Sequence, residues 1–222
     1  MRVREQIARA AERAGRSAED VTLIAVSKTF DPTTVQQAVD EGALDLGENR
    51  VQEALTKVAA IRGAVRWHLI GHLQSNKARQ AVETFDVIHS IDSSQLVERL
   101  DRIAGEVGRR PKVLVQVDIG HEPTKAGADE QNLPGILDIL DSARNLDFCG
   151  LMTLPPYFDS PEGTRPYFKR LHDILDGINR GRAANRKLTE LSMGMSHDFE
   201  TAIEEGATMV RVGTAVFGSR EE

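Results

Sequence analysis

Only one cysteine, Cys149, occurs in 222 residues. No internal disulfide can form and no sulfur-rich metal cage can be assembled, which points to a reducing, cytoplasmic setting. Long apolar runs are also missing. Nothing approaches the roughly 20 residues of a membrane span, and charges interrupt every apolar group of the first segment (MRVREQIARAAERAGRS), so it lacks a secretory core. Positive charge is not in excess: 28 Lys and Arg stand against 34 Asp and Glu, for a net charge of −6. That balance leaves no electrostatic footprint for gripping a phosphodiester backbone. The most basic stretch, Arg180 to Lys187 (RGRAANRK), is isolated and reads as a solvated helix end. Neither nucleic acid nor membrane is expected as a partner. Internal repeats and low-complexity segments are absent as well.

What is present is the balance of a globular protein, 40% apolar and 28% charged. The length suffices for one large core and is short for two ordinary domains. Short β-rich runs alternate with helical patterns along the whole chain. The strand candidates are residues 21–26 (VTLIAV), 43–46, 66–70 (RWHLI), 86–90 (DVIHS), 112–117 (KVLVQV), 146–152, 187–191 and 208–212 (TMVRV). Helix punctuation falls between them. Asp31-Pro32 supplies a cap and a first-turn proline, with Gly42 closing the same helix, and Ser93 or Ser94 can cap the run through Arg102. Residues 161–179 carry apolar side chains at helical spacing. Such alternation predicts one closed (β/α)8 TIM barrel, a single domain over residues 1–222. An open doubly wound sheet is the competitor, but strand one runs into Ser27-Lys28-Thr29 and lacks the glycine-rich turn of a dinucleotide fold.

In such barrels the C-terminal strand ends carry the site, and phosphate commonly sits at the loops after strands seven and eight. Those loops here are Ser192-Met193-Gly194-Met195-Ser196-His197-Asp198 and Gly213-Thr214-Ala215. Ser196 is a candidate cap whose following N–H groups would face an anion. A serine before a helix is usually only a cap, and a glycine after a strand only a turn; it is their joint placement that suggests a phosphate cup. Most lysines are solvated, yet Lys28 directly follows an apolar strand at the barrel mouth. Partial desolvation there would favour the neutral amine that attacks an aldehyde. Arg211 shares inward parity with Gly213, and either an ion pair or a ligand must satisfy it. Asn49 is a helix cap or a pocket amide. His68 and His72 have a spacing that suits a metal on a helix, but they run from strand into loop, so no metal site is expected.

The segments LIAVSKTF (23–30), LGENRVQEA (46–54), WHLIGHLQSNK (67–77), HSIDS (89–93), GLMTLPP (150–156) and LSMGMSHDFETAIEEGATMVRVGTAVFG (191–218) resemble the pyridoxal phosphate homeostasis protein family. They run in the family's order over nearly the whole chain. The resemblance implies an alanine-racemase-like TIM barrel that holds pyridoxal 5′-phosphate as an internal aldimine and buffers or delivers this form of vitamin B6. It maps the aldimine lysine onto Lys28 and a pocket asparagine onto Asn49. The serines of the SMGMS motif map onto Ser192 and Ser196, the VRxGT glycine and threonine onto Gly213 and Thr214, and the arginine facing the pyridine nitrogen onto Arg211. Residues 118–127 (DIGHEPTKAG) depart from the family at Asp118, Gly120 and Pro123 while keeping Glu122, Lys125 and Gly127. The implied protein is a monomeric carrier whose partners are the cofactor and apoenzymes that accept it. An amino-acid racemase of the same barrel is the alternative, against which stands the lack of the second domain that brings a racemase its tyrosine. A barrel enzyme acting on another phosphorylated metabolite is a third reading.

Overall fold

Strand β1 (Thr22–Val26) pairs in parallel with β2 (Asp45–Glu48) on one side and with β8 (Met209–Val212) on the other. In this computed structural model, which describes residues 2–121 and 126–218, the sheet therefore has no edge. The remaining strands, β3 (Arg66–Leu69), β4 (Val87–Ile91), β5 (Lys112–Gln116), β6 (Asp147–Met152) and β7 (Glu190–Met195), complete a closed barrel in sequence order. Helices follow the strands in turn: α2 (Pro32–Asp40), α3 (Val51–Val58), α4 (Ala78–Thr84), α5 (Ser94–Val107), α6 (Leu133–Ser142), α7 (Arg165–Arg180), α8 (Phe199–Glu204) and the short α9 (Thr214–Phe217), with α1 (Arg2–Arg13) preceding β1. This is a (β/α)8 barrel. Among the described residues no helix is long and apolar enough to cross a membrane.

Local chemistry explains the helices. The Asp31 carboxylate accepts the Thr33 and Thr34 amides, and Pro32 occupies the first turn, so α2 starts where its sequence demands. The α5 stripe of Leu96, Val97, Leu100, Ile103 and Ala104 is buried. Faces of this kind pack on the outward residues of the strands and form the main core. Val87, Leu114 and Met152 make a smaller, separate apolar cluster.

Two strands sit further along the chain than sequence spacing predicts. Strand β2 covers 45–48 instead of 43–46, because Asp45, Gly47 and Glu48, poor strand formers by type, are buried and paired on both sides. Strand β7 covers 190–195 instead of 187–191. Ser192 and Gly194 read as loop residues, yet the strand continues through them with a register shift before Met195. Gly194 adopts φ +90°, and a Cβ there would lie 2.6 Å from Ala202 Cβ and 2.9 Å from Phe199 Cα. The glycine is required by α8 packing against the strand end.

Candidate functional site

A cavity of about 550 Å³ opens at the C-terminal ends of the strands and is lined by Lys28, Asn49, Ser196, Arg211, Gly213 and Thr214, together with His72, His197 and apolar side chains. Six of the seven residues singled out from sequence therefore share one wall system. Ser192 is the exception. It is fully buried within β7, behind Arg211, and does not line the cavity.

Lys28 sits in a turn that follows β1, closed by the Phe30 amide donating to Ser27 O at 3.2 Å. Phe30 stacks on Phe217 with ring centroids 4.9 Å apart, which holds that turn against α9. Asn49 directly follows β2. The loop after β3 runs so close to it that a Cβ on Gly71 would lie 2.3 Å from Asn49 O. Only glycine permits that approach.

Ser196 does not cap a helix as its sequence position suggests. Helix α8 begins later, with Asp198 preceding it, because the buried Asp198 carboxylate turns back to accept the Met195 amide at 2.6 Å. The Ser196 hydroxyl instead accepts the Gly213 amide at 3.2 Å and ties the two loops together. Gly213 O accepts the Val216 and Phe217 amides at 2.9 and 3.0 Å, opening a helical turn at Thr214. The first amides of such a turn have no intrahelical acceptor and suit an anion. Burial raises the Asp198 carboxyl above its ordinary range, opposed by the Met195 amide and Arg211.

Arg211 is 3% exposed and donates to Ser192 Oγ at 2.6 Å and to Thr153 O at 2.9 Å. Among the described residues no carboxylate stands at ion-pair distance, so these neutral acceptors hold it. Burial pulls its guanidinium down to about 10, with Asp198 acting in the opposite direction. It remains a cation at neutral pH. Ser192 continues into a line of buried groups: His89 Nδ1 lies 2.9 Å from Ser192 Oγ, His89 Nε2 2.9 Å from His68 Nδ1, and His68 Nε2 2.9 Å from Asp45 Oδ1. Arg211 donates to Ser192, which leaves the hydroxyl a second contact, to His89. His89 and His68 then relay the line to the Asp45 carboxylate, each ring nitrogen meeting one partner. Burial, then His68 and Arg211, hold the His89 imidazole well below its usual range.

Sequence reasoning missed this line. Its signal was the inward parity of His68 and His89 on neighbouring strands. His68 and His72 do not converge, since His72 lines the cavity with its Nδ1 3.2 Å from Asp92 Oδ2. Within residues 118–127, Glu122 and Lys125 lie outside the described residues. Around Arg180–Lys187, Arg182 and Arg186 both pair with Asp141, at 2.8 and 3.3 Å.

The alanine racemase N-terminal domain family model matches residues 2–221. A pyridoxal phosphate homeostasis protein from Aquifex aeolicus is 42% identical over 221 residues, covering 99% of this chain and 96% of its own. The chain belongs to the pyridoxal phosphate homeostasis branch of the alanine racemase N-terminal domain family. The solved structure of its relative PipY from Synechococcus elongatus, with PLP bound, is 43% identical and superposes with a TM-score of 0.84, covering 96% of this chain and all of PipY. Alanine racemase from Clostridium difficile shares only 17% identity at a TM-score of 0.72, covering 98% of this chain and 56% of the racemase, a likeness of fold alone.

Proposed function

We propose that this chain, as one barrel domain, binds pyridoxal 5′-phosphate in the cavity at the strand ends and serves cofactor homeostasis without turning over amino acids. The observation that carries the reading is the convergence of Lys28, Ser196, Gly213, Thr214 and Arg211 on one cavity. Its volume lies within the usual range for small-molecule sites.

The donor set fits the cofactor's chemistry. The cofactor supplies an aldehyde that condenses with a primary amine, losing one water for the bond formed. Among the described residues Lys28 is the lysine on the cavity wall, and it is the amine we assign to that link. Ser196 and the turn at Gly213-Thr214 offer a hydroxyl and backbone amides for a phosphate dianion. Asn49 offers an amide to a ring substituent. Arg211, already holding two neutral acceptors, presents a fixed positive charge that disfavours protonation of a pyridine nitrogen beside it and so weakens the electron sink carbanion chemistry needs. Ser192 acts one step removed, by orienting Arg211.

The name carried by relatives of this family supports a carrier role, with apoenzymes as recipients, and a lone cysteine suits a reducing cytoplasm. The racemase alternative needs a second proton-transfer group facing Lys28. Among the described residues no tyrosine lines the cavity, and His72 and His197 are the imidazoles on its wall. The test is direct. Borohydride reduction of protein incubated with the cofactor, followed by peptide mapping, should place the label on Lys28. Lys28→Ala should lose the visible absorption band while keeping its fold, and a label on Lys77 would overturn the assignment.

A further inference from the structure

The turn that carries Lys28 is strained. Thr29 adopts φ +70°, a backbone region that β-branched residues rarely occupy. The turn runs from Ser27 to Phe30 with its positive φ at the third position, where glycine or asparagine is the usual choice. Such a conformation persists only where its surroundings over-determine it.

Those surroundings are three charged side chains from β2 and α3 that play no part in the cavity. Lys57 is 3% exposed and Glu48 is fully buried, with Lys57 Nζ 2.6 Å from Glu48 Oε1. Lys57 also donates to Ser27 O at 2.6 Å and to Glu53 Oε1 at 3.2 Å. Ser27 Oγ donates to the same Glu48 oxygen at 2.6 Å. On the other side of Lys28, the Thr29 amide donates to Glu53 Oε1. The residue before Lys28 is thus held at its carbonyl and hydroxyl, and the residue after it at its amide. Burial raises the Glu48 carboxyl, with Lys57 and Ser27 opposing. Its second oxygen, Oε2, has no hydrogen-bond partner among the described residues. A buried charged cluster with an unsatisfied oxygen costs stability, and a hydrophobic trio would fill the same space more cheaply.

We propose that Lys57, Glu48 and Glu53 form a positioning cluster that fixes the strained turn and thereby aims the Lys28 amine into the cavity. None of the three lines the cavity itself. The inference rests on the assignment of Lys28 as the cofactor-linking amine.

The deciding variant is Glu53→Leu, because Glu53 lies near the surface and its loss spares the core. The wild type, Glu53→Leu and Glu53→Gln are each mixed with pyridoxal 5′-phosphate and the rate of borohydride-trappable capture is followed. Binding of 4′-deoxypyridoxine 5′-phosphate, which has the ring and phosphate but no aldehyde, is measured in parallel. Glu53→Leu should slow capture about tenfold, the worth of one strained backbone conformation, and leave the deoxy analogue's affinity unchanged within about twofold. Glu53→Gln keeps an acceptor for the Thr29 amide and should stay near wild type. Lys57→Met should repeat the Glu53→Leu result if it folds. Unchanged capture in Glu53→Leu, or an equal loss for both ligands, overturns the cluster's role while leaving the cofactor reading in place. A wild-type protein that captures no aldehyde sinks both.

Discussion

The Arg211 guanidinium rests on the Ser192 hydroxyl, 2.6 Å away, at the inner end of a line of buried hydrogen bonds that reaches Asp45. The cation is therefore oriented without being neutralised, and its free N–H capacity is left for the cavity. Arg211→Gln should weaken cofactor retention roughly ten- to hundredfold, the worth of one charge-assisted hydrogen bond at about 1.5–3 kcal/mol. The link to Lys28 should survive. Cofactor dissociation and melting temperature, measured with and without ligand, check this; an unchanged dissociation constant with a uniform loss of melting temperature would contradict it.

His89 sits in that line as a neutral, fully buried imidazole. The unfolded chain takes up a proton at His89 below the usual 6.5, whereas the folded protein does so only well below that value. Its contribution to stability is thus whole above pH 6.5 and is lost as pH falls from there toward the folded value. The slope is about 1.4 kcal/mol per pH unit for one proton. Urea unfolding of His89→Gln should show a slope shallower by that amount between pH 6.5 and 5, and parallel curves would refute the neutral assignment.

Ser196→Ala removes the hydroxyl that accepts the Gly213 amide and leaves the paired loops untied. Affinity for inorganic phosphate, and for the cofactor, should each fall by about fivefold to tenfold, near 1 kcal/mol. Titration of both ligands decides whether the effects match. A loss for the cofactor alone would move the phosphate elsewhere.

With saturating cofactor, incubation with alanine or other common amino acids should match a buffer control in chiral and keto-acid assays. Turnover that vanishes in Lys28→Ala would overturn the carrier reading and place His72 or His197 in the role of proton donor.

Cys149 donates weakly to Val113 O at 3.5 Å. The residue as a whole is only half-buried, yet burial of the thiol pushes it up to about 12. Thiol reagents at neutral pH should modify it slowly in the native state and rapidly in denaturant. Fast native labelling would contradict the packing at β6.

The barrel and six of the seven cavity candidates were legible because they depend on strand order and parity, which residue type encodes directly. Ser196 was assigned a capping role that Asp198 displaces, since choosing between neighbouring polar residues depends on which one is buried by α8. Ser192 was read as a loop residue because small side chains mark turns in isolation, yet inside a barrel they make room for Arg211. In the Lys57–Glu48–Glu53 cluster, Glu53 and Lys57 have the i,i+4 spacing of an ordinary solvated helix pair, which does not mark them as buried. Glu48 belongs to β2 and the other two to α3, and only the pairing of β1 with β2 brings them beneath the turn after β1.

That β1 pairs with β8 has a temporal consequence. A chain emerging from the ribosome exposes Lys28 well before Ser196, Arg211 and Gly213, which lie more than 160 residues further on. The nascent barrel is an open, curling sheet with two raw margins until its last strand arrives, and contacts so remote in sequence form slowly. The amine we assign to the cofactor is thus made long before the loops proposed to recognise the phosphate. On the proposed assignment, selective loading must wait for β8 to close the barrel.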